Sequence, residues 1–428
     1  MVMKNGVFNL YTEEFTEFSP EIYATIAIPV IYNPKAEAPK IERFLQEVCP
    51  GKPDDTAKLI EYAGYCLLKA MPIARILLPV GKGRNGKSTY LKLVTIFLGR
   101  QNVCSVSLQK LAEGGFQCAE LYKKLANICG DIPAKPIKDA GPLKMLVGND
   151  PITIERKWRD PFQHYNYAKP AFSANKVPPS WDDTIAFHRR MVTVDFTAEF
   201  PAGDKKTDIH ILDKLTTPEE MSGFFNLAVK ALKKFLSQQG FTGEQTAEQR
   251  KMTYIRKSDP VQYFALQFIE KAIGQTITNP QLYEYYTRLC FALEVTPIAN
   301  AWFSRNVRRF LPYSLQRNDT IDGVKTRVWH GIRVKLKELD DFIKDSGITT
   351  LPLPLITKGP AKMTMSSTKV EIPFQQIPPG EPCERCGKHS VEYLIKYDFI
   401  NSVKRCEACF QKARIESPNS RFIRMEII

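Results

Sequence analysis

The sequence predicts an α/β fold in which a parallel sheet carries a phosphate-binding loop, and three observations lead there. Gly81-Lys82-Gly83-Arg84-Asn85-Gly86-Lys87-Ser88 fits the pattern G-x-x-x-x-G-K-[ST]. The apolar run Arg75–Val80 before it reads as a buried strand, and Thr89–Leu98 after it repeats apolar residues at helical spacing. From the loop to about Phe196, strand-like and helical segments alternate, as they do when helices cover both faces of a parallel sheet.

The loop's residue types match what a triphosphate requires. Glycines at 81, 83 and 86 let the backbone bend so that its amides converge, Asn85 and Thr89 complete the turn and helix start, and the helix adds its positive end. Lys87 is placed to reach the β- and γ-phosphates and Ser88 to ligate Mg²⁺, so ATP and Mg²⁺ are the expected cofactors. The competing reading, a Gly-rich surface turn, does not explain the strand before it and the helix after it.

In chain order, residues 1–75 hold an extended opening and helical patterns at Ile41–Val48 and Ala57–Cys66, read as a collar. The ATPase core occupies 76–200, with further strands at Leu125–Cys129, Tyr167–Ser173 and Met191–Phe196. Residues 201–258 read as helical, with Phe224–Leu236 the clearest amphipathic element. The segment 259–340 carries helical patterns at Val261–Ala272 and Gln281–Leu293, a basic helix Ala301–Phe310, and two strand-like runs around Asn318–Gly323. Three helices and a hairpin is the order of a winged helix. Residues 341–380 are rich in Pro, Thr and Ser and read as a linker, and 381–428 as a zinc ribbon.

At 428 residues the chain is long enough for several units, and 60 Lys and Arg against 46 Asp and Glu give a net charge of +14, which favours polyanionic partners. No run is long and apolar enough to span a bilayer, and Met1-Val-Met-Lys-Asn5 lacks the apolar centre of a signal peptide. A cytoplasmic protein, or one in a host cytoplasm if viral, is expected. Cys49, Cys66, Cys104, Cys118, Cys129 and Cys290 sit among apolar neighbours and read as reduced core thiols.

Beyond the loop, Asp131 closes the strand Leu125–Cys129, read as lying beside the loop's own strand, where a second Mg²⁺ contact belongs. Asn175 follows the strand at Tyr167–Ser173 and can orient water or sense a γ-phosphate; alternatively it forms the turn before Pro178. His188-Arg189-Arg190 precedes the last strand, where an arginine can act on a neighbouring subunit's nucleotide or simply be solvated.

These features occur in the order of a superfamily 3 helicase, and the chain resembles the helicase half of phage, plasmid and poxvirus-type primase-helicases. The resemblance runs from Asn5–Leu10 to about Lys337 and includes Ala63–Leu67, Gly81–Leu91, Leu143–Asp150, Ser173–Pro178 and Ala186–Arg190. It implies an AAA+-like fold and a ring, usually hexameric, that moves on single-stranded DNA in replication. Lys87 and Ser88 become phosphate and Mg²⁺ ligands, Asp131 the acidic strand-end residue, Asn175 the sensor, and Arg190 the finger acting in trans, with Arg189 the runner-up. Relatives often carry two acids at the second motif; here Ile132 follows Asp131, leaving the water-activating carboxylate open. A primase, which relatives often carry, is expected as a missing segment or a separate protein, as is a polymerase partner.

The alternating run Ile152–Pro161 has a basic, aromatic end, and helicases of this type project a hairpin here into the ring channel. Lys157 and Arg159 are the candidate DNA contacts, with Trp158 able to stack or pack. Arg305, Arg308 and Arg309, with Lys325 and Arg327, form a second candidate DNA surface; winged helices also serve as protein contacts.

Cys383-x-x-Cys386 and Cys406-x-x-Cys409 have the spacing of a four-thiolate zinc site. His389 is surplus to that tetrahedron, and Lys388, Lys404 and Lys412 are available to nucleic acid or a partner. The preferred function is an ATP-driven replicative DNA helicase. A replication initiator or loader that melts DNA without processive unwinding is the first alternative, and a small-molecule kinase, which leaves the charge and the carboxy-terminal modules without purpose, is the second.

Overall fold

The computed structural model describes residues 1–201, 203, 207–321 and 323–346, and the backbone of three further strands between 393 and 426. It divides into two units, Met1–Ile356 and Thr357–Ile428.

The first unit opens with a small ribbon, β1 (Val7–Phe8) with β2 (Phe15–Thr16), followed by α1 (Pro39–Val48) and α2 (Pro53–Tyr65). Both helices begin with proline, whose fixed φ and missing N–H suit the first turn. The nucleotide-fold segment then runs β3 (Ile76–Val80), α3 (Lys87–Leu98), β4 (Val103–Cys104), α4 (Leu108–Glu113), β5 (Ala126–Cys129) and α5 (Gly141–Val147). A hairpin of β6 (Pro151–Arg156) and β7 (Arg159–Tyr165) follows, and β8 (Lys169–Phe172), α6 (Ile185–His188) and β9 (Met191–Asp195) complete it.

The sheet is parallel, in the order β4-β5-β8-β3-β9. The sequence reading set the Asp131 strand directly beside the loop strand; β8 lies between them instead, so Asn175 separates the two. Leu77 and Leu78 of β3 are both buried but belong to different cores, since alternate residues of a strand point to opposite faces. This is an α/β sheet covered on both sides.

On one face α3 packs with the collar and with α8 (Pro218–Ser237), which follows the short α7 (Ile211–Leu215). Thr217 caps α8 by accepting from the Glu220 N–H, and Phe224, Phe225, Ala228, Val229, Leu232 and Phe235 form its buried stripe. Collar and helical segment thus share one core. A Cβ on Gly64 of α2 would sit 2.1 Å from the Ala228 carbonyl oxygen, so only glycine permits this approach. The other face packs α4 and α5, with Tyr254 of α9 (Ala247–Ser258) joining their core and donating from its hydroxyl to the Pro178 carbonyl at 2.6 Å.

The remaining elements are α10 (Pro260–Phe268), β10 (Ile269–Thr278), α11 (Asn279–Ala292), α12 (Asn300–Val307), β11 (Leu315–Ile321), β12 (Val324–Val334) and α13 (Leu336–Asp345). Two sequence expectations change here. The helix expected over Val261–Ala272 ends at Phe268, and the chain turns into a strand that pairs antiparallel with β12 in a sheet of order β10-β12-β11. The expected linker at 341 begins inside α13, whose Leu339 and Ile343 are buried in the same core as Trp329. Asn279 anchors this core, accepting from Trp329 Nε1 at 3.0 Å and from the Ser304 hydroxyl at 2.6 Å.

In the second unit β13 (Tyr393–Tyr397), β14 (Asn401–Arg405) and β15 (Phe422–Glu426) form an antiparallel sheet with β13 central. Cys383, Cys386, Cys406 and Cys409, with His389, Lys388 and Lys412, lie outside the described residues, as does the linker from residue 347 to 380.

Candidate functional site

Three neighbouring strands end at one edge of the parallel sheet, and each delivers one polar group. The carboxyl end of β5 leads to Asp131, that of β8 to Asn175, and that of β3 to the loop 81–86. Crevices at the carboxyl ends of parallel strands are where such sheets bind ligands.

Lys87, the first residue of α3, is buried and folds back over the loop. Its Nζ donates to the Gly81 carbonyl at 2.6 Å, to Asn85 Oδ1 at 2.9 Å and to Asn175 Oδ1 at 3.2 Å. Burial pulls its pKa below the usual lysine value, and the Asp131 charge opposes that shift. Asn175 in turn donates from Nδ2 towards Asp131 Oδ1 at 3.5 Å, the outer limit of a hydrogen bond. Lys87, Asn175 and Asp131 therefore form one connected row across the ends of three strands.

Asp131 has a left-handed φ of 53° and an exposed carboxylate, while its N–H donates to the buried Ser173 hydroxyl at 3.1 Å. The sequence reading missed Ser173; its place at the end of an apolar strand, two residues before Asn175, was the available signal. Ile132, the residue after Asp131, is buried in the core. Asn85 is buried and donates to the Phe196 carbonyl at 3.0 Å, tying the loop to the end of β9. Gly83 and Ser88 are exposed and Thr89 is half-buried.

Gly86 sits at φ 87°, and a Cβ there would lie 2.5 Å from Val48 Cγ1 of the collar. Gly86→Ala should cost roughly 1–3 kcal/mol from backbone strain and crowding. Urea unfolding checks this; an unchanged midpoint would contradict the close packing of loop and collar.

Arg189 and Arg190 lie at the opposite end of the sheet, where the Arg190 carbonyl accepts from the N–H of Ile76 at 2.7 Å. Five strand residues at about 3.3 Å each put them roughly 15 Å from the loop. The two arginines differ. Arg190 is buried, donates from Nη1 to the Ala186 carbonyl, and has its pKa lowered by burial and then by Arg189. Arg189 is exposed.

The β6–β7 hairpin holds Lys157 and Trp158 at its tip, with Trp158 at φ 63° and almost fully exposed, and Lys157 and Arg159 exposed beside it. Just behind the tip, the Arg156 guanidinium lies 4.8 Å from the Tyr122 ring centroid and 5.4 Å from that of Phe162, which anchors the outer end of the hairpin. Arg305, Arg308 and Arg309 are exposed on and just after α12, with Arg305 over the Trp302 ring at 5.1 Å, and Lys325 and Arg327 are exposed on β12.

Residues 1–50 match a family described as D5 N terminal like, and residues 80–190 match a family of unknown function designated DUF5906. Among solved structures, the apo C-terminal region of NrS-1 is similar at a TM-score of 0.40 and 10% identity, over 71% of this chain and 77% of that one. A second apo structure of that region gives 0.37 and 12% over the same shares. No helix among the described residues is long and apolar enough to cross a membrane.

Proposed function

We propose that the chain is an ATP-driven DNA helicase of a replication primase-helicase family, working as a ring of copies, hexameric by the resemblance. The observation that carries this reading is the row Lys87–Asn175–Asp131 at the mouth of a strand–loop–helix turn. The D5-type match at residues 1–50 supports the family.

Lys87 exchanges its internal acceptors for phosphate oxygens, and its partial burial strengthens that attraction. Ser88 and Asp131, both exposed, supply a hydroxyl and a carboxylate for Mg²⁺, an oxygen-seeking cation that uses one or two protein ligands plus phosphate oxygens. Held by Ser88 and Asp131, such a cation would supply charge neutralisation to the phosphates. Asn175, reached by Lys87 on one side and Asp131 on the other, orients the attacking water. With Ile132 turned into the core, Asp131 is the carboxylate this strand end supplies. Arg189 takes the finger role in place of Arg190, because a group that crosses to a neighbouring copy must be exposed.

The hairpin tip and the arginines of α12 provide two basic, aromatic surfaces suited to phosphates and stacked bases. Lys157→Ala should reduce the ratio of DNA-stimulated to basal ATP turnover to near one; an unchanged ratio would remove the hairpin from the DNA path. The four cysteines of the second unit are assigned one zinc ion on the chemistry of their donor set. Metal analysis of protein purified without chelator should find one zinc per chain, and its absence would overturn that assignment. The reading as a whole is tested by ATP hydrolysis, which single-stranded DNA should stimulate; hydrolysis indifferent to DNA would favour a kinase-like enzyme.

A further inference from the structure

Near the arginine end of the sheet, away from Lys87, lies a cavity of about 610 Å³. Three arginines reach it from three elements: Arg75 just before β3, Arg189 just after α6, and Arg250 on the first turns of α9. One carboxylate, Glu244, faces them. Its Oε2 accepts from the Phe241 N–H at 3.2 Å, which fixes the side chain in the turn between α8 and α9. Its Oε1 meets Arg75 Nη2 at 2.6 Å and also Arg250 Nη2.

The charges do not balance, since three guanidiniums face one carboxylate. Arg250 is buried, and burial together with Arg75 lowers its pKa to about 10. Burial also lowers the pKa of Arg75, and Arg189 adds to the shift. The buried Nε of Arg75 finds no acceptor among the described residues. A purely structural ion pair would explain Glu244 with one arginine. It would not explain a second guanidinium, since Arg75 is half-buried and Arg250 buried and uncompensated partly buried charge is costly, nor why the exposed Arg189 reaches the same open cavity.

We infer that this cavity binds a multiply charged phosphoryl anion through Arg75, Arg189 and Arg250, with Glu244 holding the guanidiniums in place and competing for them. Guanidinium forks match phosphoryl oxygens in geometry, and an anion of two or more charges offsets the surplus positive charge. The anion is either free diphosphate or the terminal phosphates of a nucleotide held by a second copy; the second source rests on the ring proposed above.

The test uses the full chain carrying Lys87→Ala, which disables the nucleotide loop, titrated calorimetrically with inorganic diphosphate at low ionic strength. Adding Arg75→Gln should weaken binding about tenfold, and adding Glu244→Gln should tighten it roughly threefold. Opposite directions exclude general unfolding as the cause. No diphosphate binding, or equal binding in all three proteins, overturns the site. This titration requires no ATP turnover, so it stands apart from the helicase reading.

A second arm separates the sources. Arg75→Gln protein keeps its nucleotide loop and Lys87→Ala protein keeps its cavity. Loss of ATP turnover by Arg75→Gln alone with recovery on mixing assigns the anion to a neighbouring copy's nucleotide, and unimpaired turnover by Arg75→Gln alone assigns it to the free anion.

Discussion

Lys87→Ala lowers ATP turnover by on the order of 10²–10³-fold, the usual loss when one preorganised donor to a developing charge is removed. The ammonium is the one cation in the row at the strand ends, and Gly81, Asn85 and Asn175 hold it over the loop. Phosphate release under saturating ATP checks the expectation, with circular dichroism showing that the fold survives. Turnover at the wild-type rate would remove the loop 81–88 from the reaction.

Arg189→Ala has a comparably large effect by a different route. A finger acting across an interface contributes on the order of 10³-fold or more to turnover while adding little to nucleotide binding. The variant should therefore lose turnover but retain affinity for a fluorescent ATP analogue. Arg190→Ala should behave differently. Arg190 is buried and bonded to the Ala186 carbonyl, so its loss leaves a cavity and an unpaired carbonyl, and stability falls first. Arg189→Ala turning over normally would return the finger role to another residue.

Much of the architecture was legible in the chain because its signals are local. The loop motif, the strand before it and the helix after it follow from glycine placement and apolar periodicity, and the hairpin after Asp150 follows from alternation. Strand order was not legible in the same way. Parallel neighbours are chosen by crossover connections and burial rather than by sequence adjacency, so β8 entered between β3 and β5 without a local mark.

Ile269–Thr278 illustrates another limit. Ile269-Glu-Lys-Ala272 continues a helical pattern, yet pairing with β12 overrides that propensity and turns the chain into strand at Ile269. Arg189 and Arg190 are adjacent and chemically identical, and only the packed fold buries one and exposes the other. Arg75 stands far in sequence from Glu244 and Arg250, and none of the three belongs to a motif. Their meeting at one cavity is a property of the assembled sheet and helices alone.

A forked DNA duplex with a labelled strand, incubated with ATP and the full chain, measures whether hydrolysis moves DNA. Wild-type protein should displace the strand, while Lys87→Ala should bind the fork and leave it paired. Robust ATP hydrolysis without displacement, or equal displacement by both proteins, would contradict the assignment of the Lys87–Asn175–Asp131 row as the engine of a helicase.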